Sequence, residues 1–97
     1  NDLAETLFRD NKLRKLDRDI KKSEQQLDKH TKSMERELRA LRLKKTRANN
    51  NMAGAQWETS ISEEMNAVTT KYQTILENER SRLQSLRDER NRIASEE

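Results

Sequence analysis

This sequence predicts an all-α fold, two long helices forming an antiparallel coiled-coil hairpin that self-associates. Three observations lead there. Of 97 residues, 40% are charged and only 30% hydrophobic, with one Gly, no Pro and no Cys. Apolar residues recur every seven positions in each half of the chain. The two ladders are out of phase across an Asn-rich segment. So little apolar material does not fill the core of a compact globular domain. One Gly and no Pro cannot supply the turns of a β-sheet protein. A disordered chain would have no reason to keep its apolar residues in register.

The first helix is expected over residues 2–48. Asp2 and Glu5 place negative charge in its first turn, against the positive end of the helix dipole. Its ladder is Leu13, Ile20, Leu27, Met34, Leu41 and Ala48, taken as the a positions of a heptad. The d row begins with Leu16 and then turns polar, through Ser23, His30, Glu37 and Lys44. From Met34 onward Leu38 joins the apolar track one residue beyond d, so the seam drifts. Arg42, Lys44, Lys45 and Arg47 suit the negative end of the dipole, and Asn49 suits a C-cap region.

A loop is expected over residues 49–58. Asn49, Asn50, Asn51 and Gly54 together cost a helix roughly 2–3 kcal/mol relative to Ala. Trp57 stands at the exit, either capping the helical core or offering an exposed anchor. The second helix is expected over 59–95, opened by Ser60-Ile61-Ser62-Glu63, a capping-box pattern. Its a row is Met65, Tyr72, Glu79, Leu86 and Ile93. Its d row opens with Ile61, Val68 and Ile75, while Leu76 and Leu83 fall one residue beyond d.

One continuous helix in a parallel dimeric coiled coil is the alternative, with the phase shift absorbed as a stammer. Two features favour the hairpin. Residues 1–47 carry 15 basic and 9 acidic side chains, net +6, and residues 48–97 carry 6 and 9, net −3. Folding one half on the other brings opposite net charges together. The stripes also mirror about Asn51, pairing Leu41 with Ile61, Met34 with Val68, Leu27 with Ile75 and Leu16 with Leu86. That register sets His30 against Tyr72, but Ile20 against Arg82 and Leu13 against Glu89. Two helices alone cannot cover both stripes, so a homo-oligomer, a dimer first, is expected. Leu3, Leu7 and Phe8 lie off the main stripe and suggest a second contact surface.

No catalytic, cofactor or metal site is expected. There is one His, no Cys and no Gly-rich phosphate cradle. His30 fits a seam position, and Glu37, Lys44 and Glu79 fit polar seam residues that specify register. No run approaches a membrane span, and the start lacks both an initiator Met and a signal-peptide core. The chain is expected to be a segment of a longer intracellular protein, cytoplasmic and cytoskeletal or nuclear.

The basic side chains have two readings, solvated coiled-coil surface with intrahelical pairs or electrostatic attachment to an acidic polymer. Residues 36–47 include Arg36, Arg39, Arg42, Lys44, Lys45 and Arg47 against a single acid, Glu37. Residues 9–22 add Arg9, Lys12, Arg14, Lys15, Arg18, Lys21 and Lys22. Such stretches attract an acidic polymer. Asn50-x-x-Ala53 is similar to the base-reading core of basic-leucine-zipper proteins. It departs from that family at Gly54 and at Gln56-Trp57, where the family has Ser or Cys followed by Arg. Leu38 and Leu41 also carry the apolar seam into what should be a free basic region. As a whole, the basic helical chain resembles coiled-coil modules of microtubule-associated and kinetochore proteins, with no diagnostic motif. That resemblance implies a non-enzymatic scaffold in a cytoskeletal or chromosome-segregation assembly that contacts microtubules. Non-specific nucleic-acid binding through residues 36–47 is the alternative, and a membrane-surface tether the third class.

Overall fold

The computed structural model describes residues 2–50 and 54–96, apart from the side chains of residues 49, 50 and 54. Two helices account for nearly all of it, α1 over Asp2–Asn50 and α2 over Gly54–Ala94. They pack as an antiparallel helical hairpin, and no strand occurs among the described residues.

Local chemistry explains both helices. With no Pro in the sequence, nothing interrupts the backbone hydrogen-bond ladder. In the first turn of α1, Asp2 and Glu5 supply negative charge, and the Thr6 hydroxyl donates to the Asp2 carbonyl at 2.8 Å. Arg47 occupies the last turn, where a cation is favourable. Ser95 N–H donates to the Asn91 carbonyl at 3.0 Å and Glu96 N–H to Ile93 at 3.3 Å, tightening the C-terminal turn of α2. Arg92, in that last turn of α2, reaches the Glu96 carboxylate at 2.9 Å.

The helix ends near the turn differ from the sequence expectation. Helix α1 runs through Asn50, two residues past the expected 48, and α2 begins at Gly54 rather than 59. Residues 49–50 and 54–58 of the expected loop are therefore helical, and its residues 51–53 lie outside the described part. Ala55, Gln56 and Glu58 are good helix formers, and they carry the helix back past the Ser60 capping pattern. Thr59 donates its hydroxyl to the Ala55 carbonyl at 2.9 Å, a bond made inside a helical turn. Trp57 consequently sits in the first turns of α2, 48% exposed.

The chain divides into two compact units. One comprises Asn1–Leu27 with Glu77–Glu97, and the other Asp28–Leu76. In the first, Leu16, Leu83 and Ile93 are buried along with Ser23, which is only 1% exposed. The Ser23 hydroxyl donates to Glu79 Oε1 at 2.7 Å. These two residues stand symmetrically about Asn51, the centre of the register expected from sequence. Leu13, Ile20 and Leu86 are half-buried beside them. In the second unit Ala48, Ile61, Tyr72 and Leu76 are buried. Leu38, Leu41, Met34, Met65, Val68 and Ile75 are half-buried there, as is Leu27 in the first unit.

The drift in the apolar track has a regular form. On α1 the covered positions Leu27, His30, Met34, Leu38 and Leu41 are spaced three, four, four and three residues. On α2 Val68, Tyr72, Leu76, Glu79 and Leu83 are spaced four, four, three and four. Two successive fours are a stutter, which keeps a stripe parallel to the helix axis instead of letting it wrap. Leu38 and Leu76 are covered for this reason, although a strict heptad sets both one residue past d.

A hydroxyl–carboxylate bond inside a narrow seam stabilises by charge assistance and by leaving no buried acceptor unpaired. Ser23→Ala is expected to lower unfolding free energy by about 1–2 kcal/mol, read from thermal or denaturant melts followed by circular dichroism. Replacing both partners, Ser23→Leu with Glu79→Leu, is expected to raise the melting temperature above wild type.

Candidate polyanion-binding face

The interhelical ion pairs decide which cations remain for a partner. In the unit of residues 1–27 and 77–97, Arg90 pairs with Asp17 through a direct hydrogen bond, and Arg87 with Glu24 at 3.8 Å. In the unit of residues 28–76, Lys71 approaches Glu37 at 3.6 Å. Each of these pairs joins an acid of α1 to a base of α2. The net charges of the two halves suggest the opposite sense, basic α1 against acidic α2. The reason is local, because pairing depends on the residues flanking the seam and not on the sum over each helix. Asp17, Glu24 and Glu37 flank it, whereas most of the Arg and Lys side chains of α1 point elsewhere.

The consequence is an excess of uncompensated positive charge on α1. Arg36 donates to the Ser33 hydroxyl at 3.1 Å, but none of Arg36, Arg39, Arg42, Lys44, Lys45 and Arg47 makes an ion pair with a described residue. These six do not share one face. At about 100° per residue, Arg36, Arg39, Arg42 and Arg47 fall within about 140° of arc on the side of α1 away from the seam. All four are exposed, and Leu43, 55% exposed, lies among them. Lys44 and Lys45 flank the seam on opposite sides, and Lys45 is half-buried.

The earlier basic stretch behaves similarly within its own unit. Arg14, Lys15, Arg18, Lys21 and Lys22 are exposed, without an ion pair to a described residue, and share about 120° of outward arc. Arg9 is half-buried. Lys12 lies apart from this arc, its Nζ 5.5 Å from the centroid of the Phe8 ring. Leu3, Leu7 and Phe8 are exposed there. The sequence signal for the arcs was the basic runs themselves. What the runs could not reveal was which members face outward together.

Other polar groups are tied into the hairpin. Tyr72, buried on α2, has its phenol pKa raised by hydrogen bonding with the Glu37 carboxylate, then by burial and by that carboxylate's charge. Lys71 Nζ stands 4.8 Å from the centroid of the same ring. Glu37 Oε2 is buried with no hydrogen-bond partner among the described residues. Asp17 raises the Arg90 pKa, first through the hydrogen bond and then through its charge. Along α1, Asp28 raises that of Lys32 in the same way, across 2.8 Å.

Among the described residues, no group of three or more His, Asp or Glu lies close enough to hold a metal ion. No described helix is long and apolar enough to cross a membrane. No family model, curated protein or solved structure matches this chain.

Tyr72 is the sequence's only tyrosine, so its ionisation is directly readable. Its phenolate absorbance near 295 nm is expected to rise with a midpoint above the ordinary value of about 10. Glu37→Ala is expected to bring that midpoint down toward the ordinary value. The folded state favours the protonated phenol, so this contribution to stability is complete below pH about 10 and is lost as pH rises through the raised pKa.

Proposed function

We propose that this chain is a non-enzymatic coiled-coil module that self-associates and uses its basic first helix to bind an acidic polymer, microtubules first. A single observation carries the reading. The hairpin closes with the acids of α1 and the bases of α2, which leaves Arg36, Arg39, Arg42 and Arg47, with Arg14, Lys15, Arg18, Lys21 and Lys22, outward on α1 without an ion pair to a described residue. A cationic surface of this kind raises the local concentration of a polyanion and steers its approach. The module would sit within a cytoskeletal or chromosome-segregation assembly and position neighbouring segments of it. Burial at three- and four-residue spacings along both helices supports the coiled-coil part of the reading.

Leu43 favours a protein lattice over a nucleic acid. It is 55% exposed in the middle of the arginine arc. A phosphate backbone offers such a side chain nothing, whereas an acidic protein surface presents carboxylates interspersed with apolar patches. Nothing in the arc supplies a base-reading geometry, so nucleic acid would be held only through phosphates and without sequence preference.

Co-sedimentation with microtubules over a salt series, beside a DNA mobility assay, tests the reading. Microtubule binding is expected to weaken steeply with salt. Replacing Arg36, Arg39, Arg42 and Arg47 by Glu is expected to abolish it while helicity is retained. Leu43→Ser is expected to weaken microtubule binding and leave any DNA binding unchanged. Retention on DNA with none on microtubules would replace this reading by the nucleic-acid one, and binding to neither at low salt would leave only the scaffold.

A further inference from the structure

The unit of residues 28–76 carries, besides the arginine arc, an open groove of about 600 Å³ between its two helices. Its α1 wall is formed by Ala40, Leu41 and Lys44, and its α2 wall by Glu64, Ala67 and Val68. We propose that this groove is the surface on which a second copy of the chain docks, face to face, so that Lys44 of each copy meets Glu64 of the other. The proposal rests on the self-association in the reading above and assigns it a place.

Shape supports it first. Ala40 and Ala67 are exposed and are the smallest side chains on their walls, so a second helix pair meets no bulky obstruction. Helices approach to about 8–10 Å between axes depending on the side chains at the contact, and Ala allows the close end. The floor behind them consists of Leu41 and Val68, which the hairpin only half covers. Two such grooves mated together would remove this apolar area from water on both copies at once.

Charge supports it independently and selects the occupant. Lys44 and Glu64 stand on opposite walls, and neither makes an ion pair or hydrogen bond with a described residue. Glu37, also on the groove, is already approached by Lys71. A surface with one sign on one wall and the opposite sign on the other is complementary to itself. A two-fold axis running along the groove lays the α1 wall of one copy on the α2 wall of its mate, and satisfies both Lys44–Glu64 contacts together. An acidic polymer is not the fitting occupant, because Glu64 and Glu37 would face it. Arg39 and Arg42 lie on the side of α1 away from the groove and stay uncovered by pairing there, whereas Arg36 and Arg47 border its Ala40 wall.

Sedimentation equilibrium of the chain over a concentration series tests this. The wild type is expected to dimerise, and Ala40→Glu with Ala67→Glu to weaken dimerisation about tenfold or more with helical content preserved. Lys44→Glu alone is expected to weaken it by a similar factor. Adding Glu64→Lys to Lys44→Glu is expected to restore it to within about threefold of wild type, since the swapped walls remain complementary. If the double alanine variant loses helicity, the charge swap alone decides. A dimer indifferent to all of these changes overturns the groove while leaving self-association in place. A wild-type chain that stays monomeric overturns both, and leaves microtubule binding through the arginine arc to stand on its own assay.

Discussion

A pair of helices can cover only one narrow stripe on each, and this constraint governs the rest of the molecule. About a third of each helix's circumference meets its neighbour, and every other side chain must be content in water. A chain with 30% hydrophobic and 40% charged residues meets that condition where a globular core could not form. Within the stripe the molecule still places polar groups. Among the described residues Ser23 has the most deeply buried side chain, and its hydroxyl is satisfied by Glu79 across the seam. A polar pair contributes less than two leucines would, but it penalises slipped pairings that leave the carboxylate without its donor. Long apolar ladders tolerate a slip by one heptad, and such a pair makes that slip costly.

The same constraint distributes charge. Only acids and bases flanking the seam can reach the other helix, so the interhelical pairs are selected by angular position. Asp17, Glu24 and Glu37 hold such positions on α1, and Arg90, Arg87 and Lys71 hold them on α2. The paired acids of α1 no longer offset the charge of its outward Arg and Lys. Closing the hairpin therefore sharpens the positive face of α1 instead of neutralising it. The proposed polymer contact follows from this polarity more than from the overall net charge of +3.

The fold was legible in the sequence because the two ladders and the missing Pro act over tens of residues. Leu16, Ile61, Tyr72 and Ile93 are positions where spacing alone identifies a covered residue, and all four are buried. Leu76 and Leu83 show what a strict heptad misses, since a stutter shifts the stripe and no single residue announces it. The turn was less legible. Asn and Gly lower helix propensity by modest amounts, so α1 runs on to Asn50, and Ala55, Gln56 and Glu58 carry α2 back past Ser60. The sense of the ion pairs was not legible from charge sums, because a sum discards angle. Ala40 and Ala67 gave no signal at all, since a groove exists only once two helices lie side by side.

Salt should act on the two electrostatic features to different degrees. The interhelical pairs are exposed on both partners, and pairs of that kind contribute only about 0–1 kcal/mol each. The seam itself rests on apolar burial and on the Ser23–Glu79 bond, which screening hardly touches. In the proposed contact the outward arcs, by contrast, would act on a partner only through charge, apart from Leu43. Ionic strength that silences the arcs therefore leaves the hairpin folded, and loss of binding with salt reports the surface and not unfolding. The charged groove walls occupy the intermediate case, because Lys44 and Glu64 would be desolvated against a second copy and screened less than the open arcs.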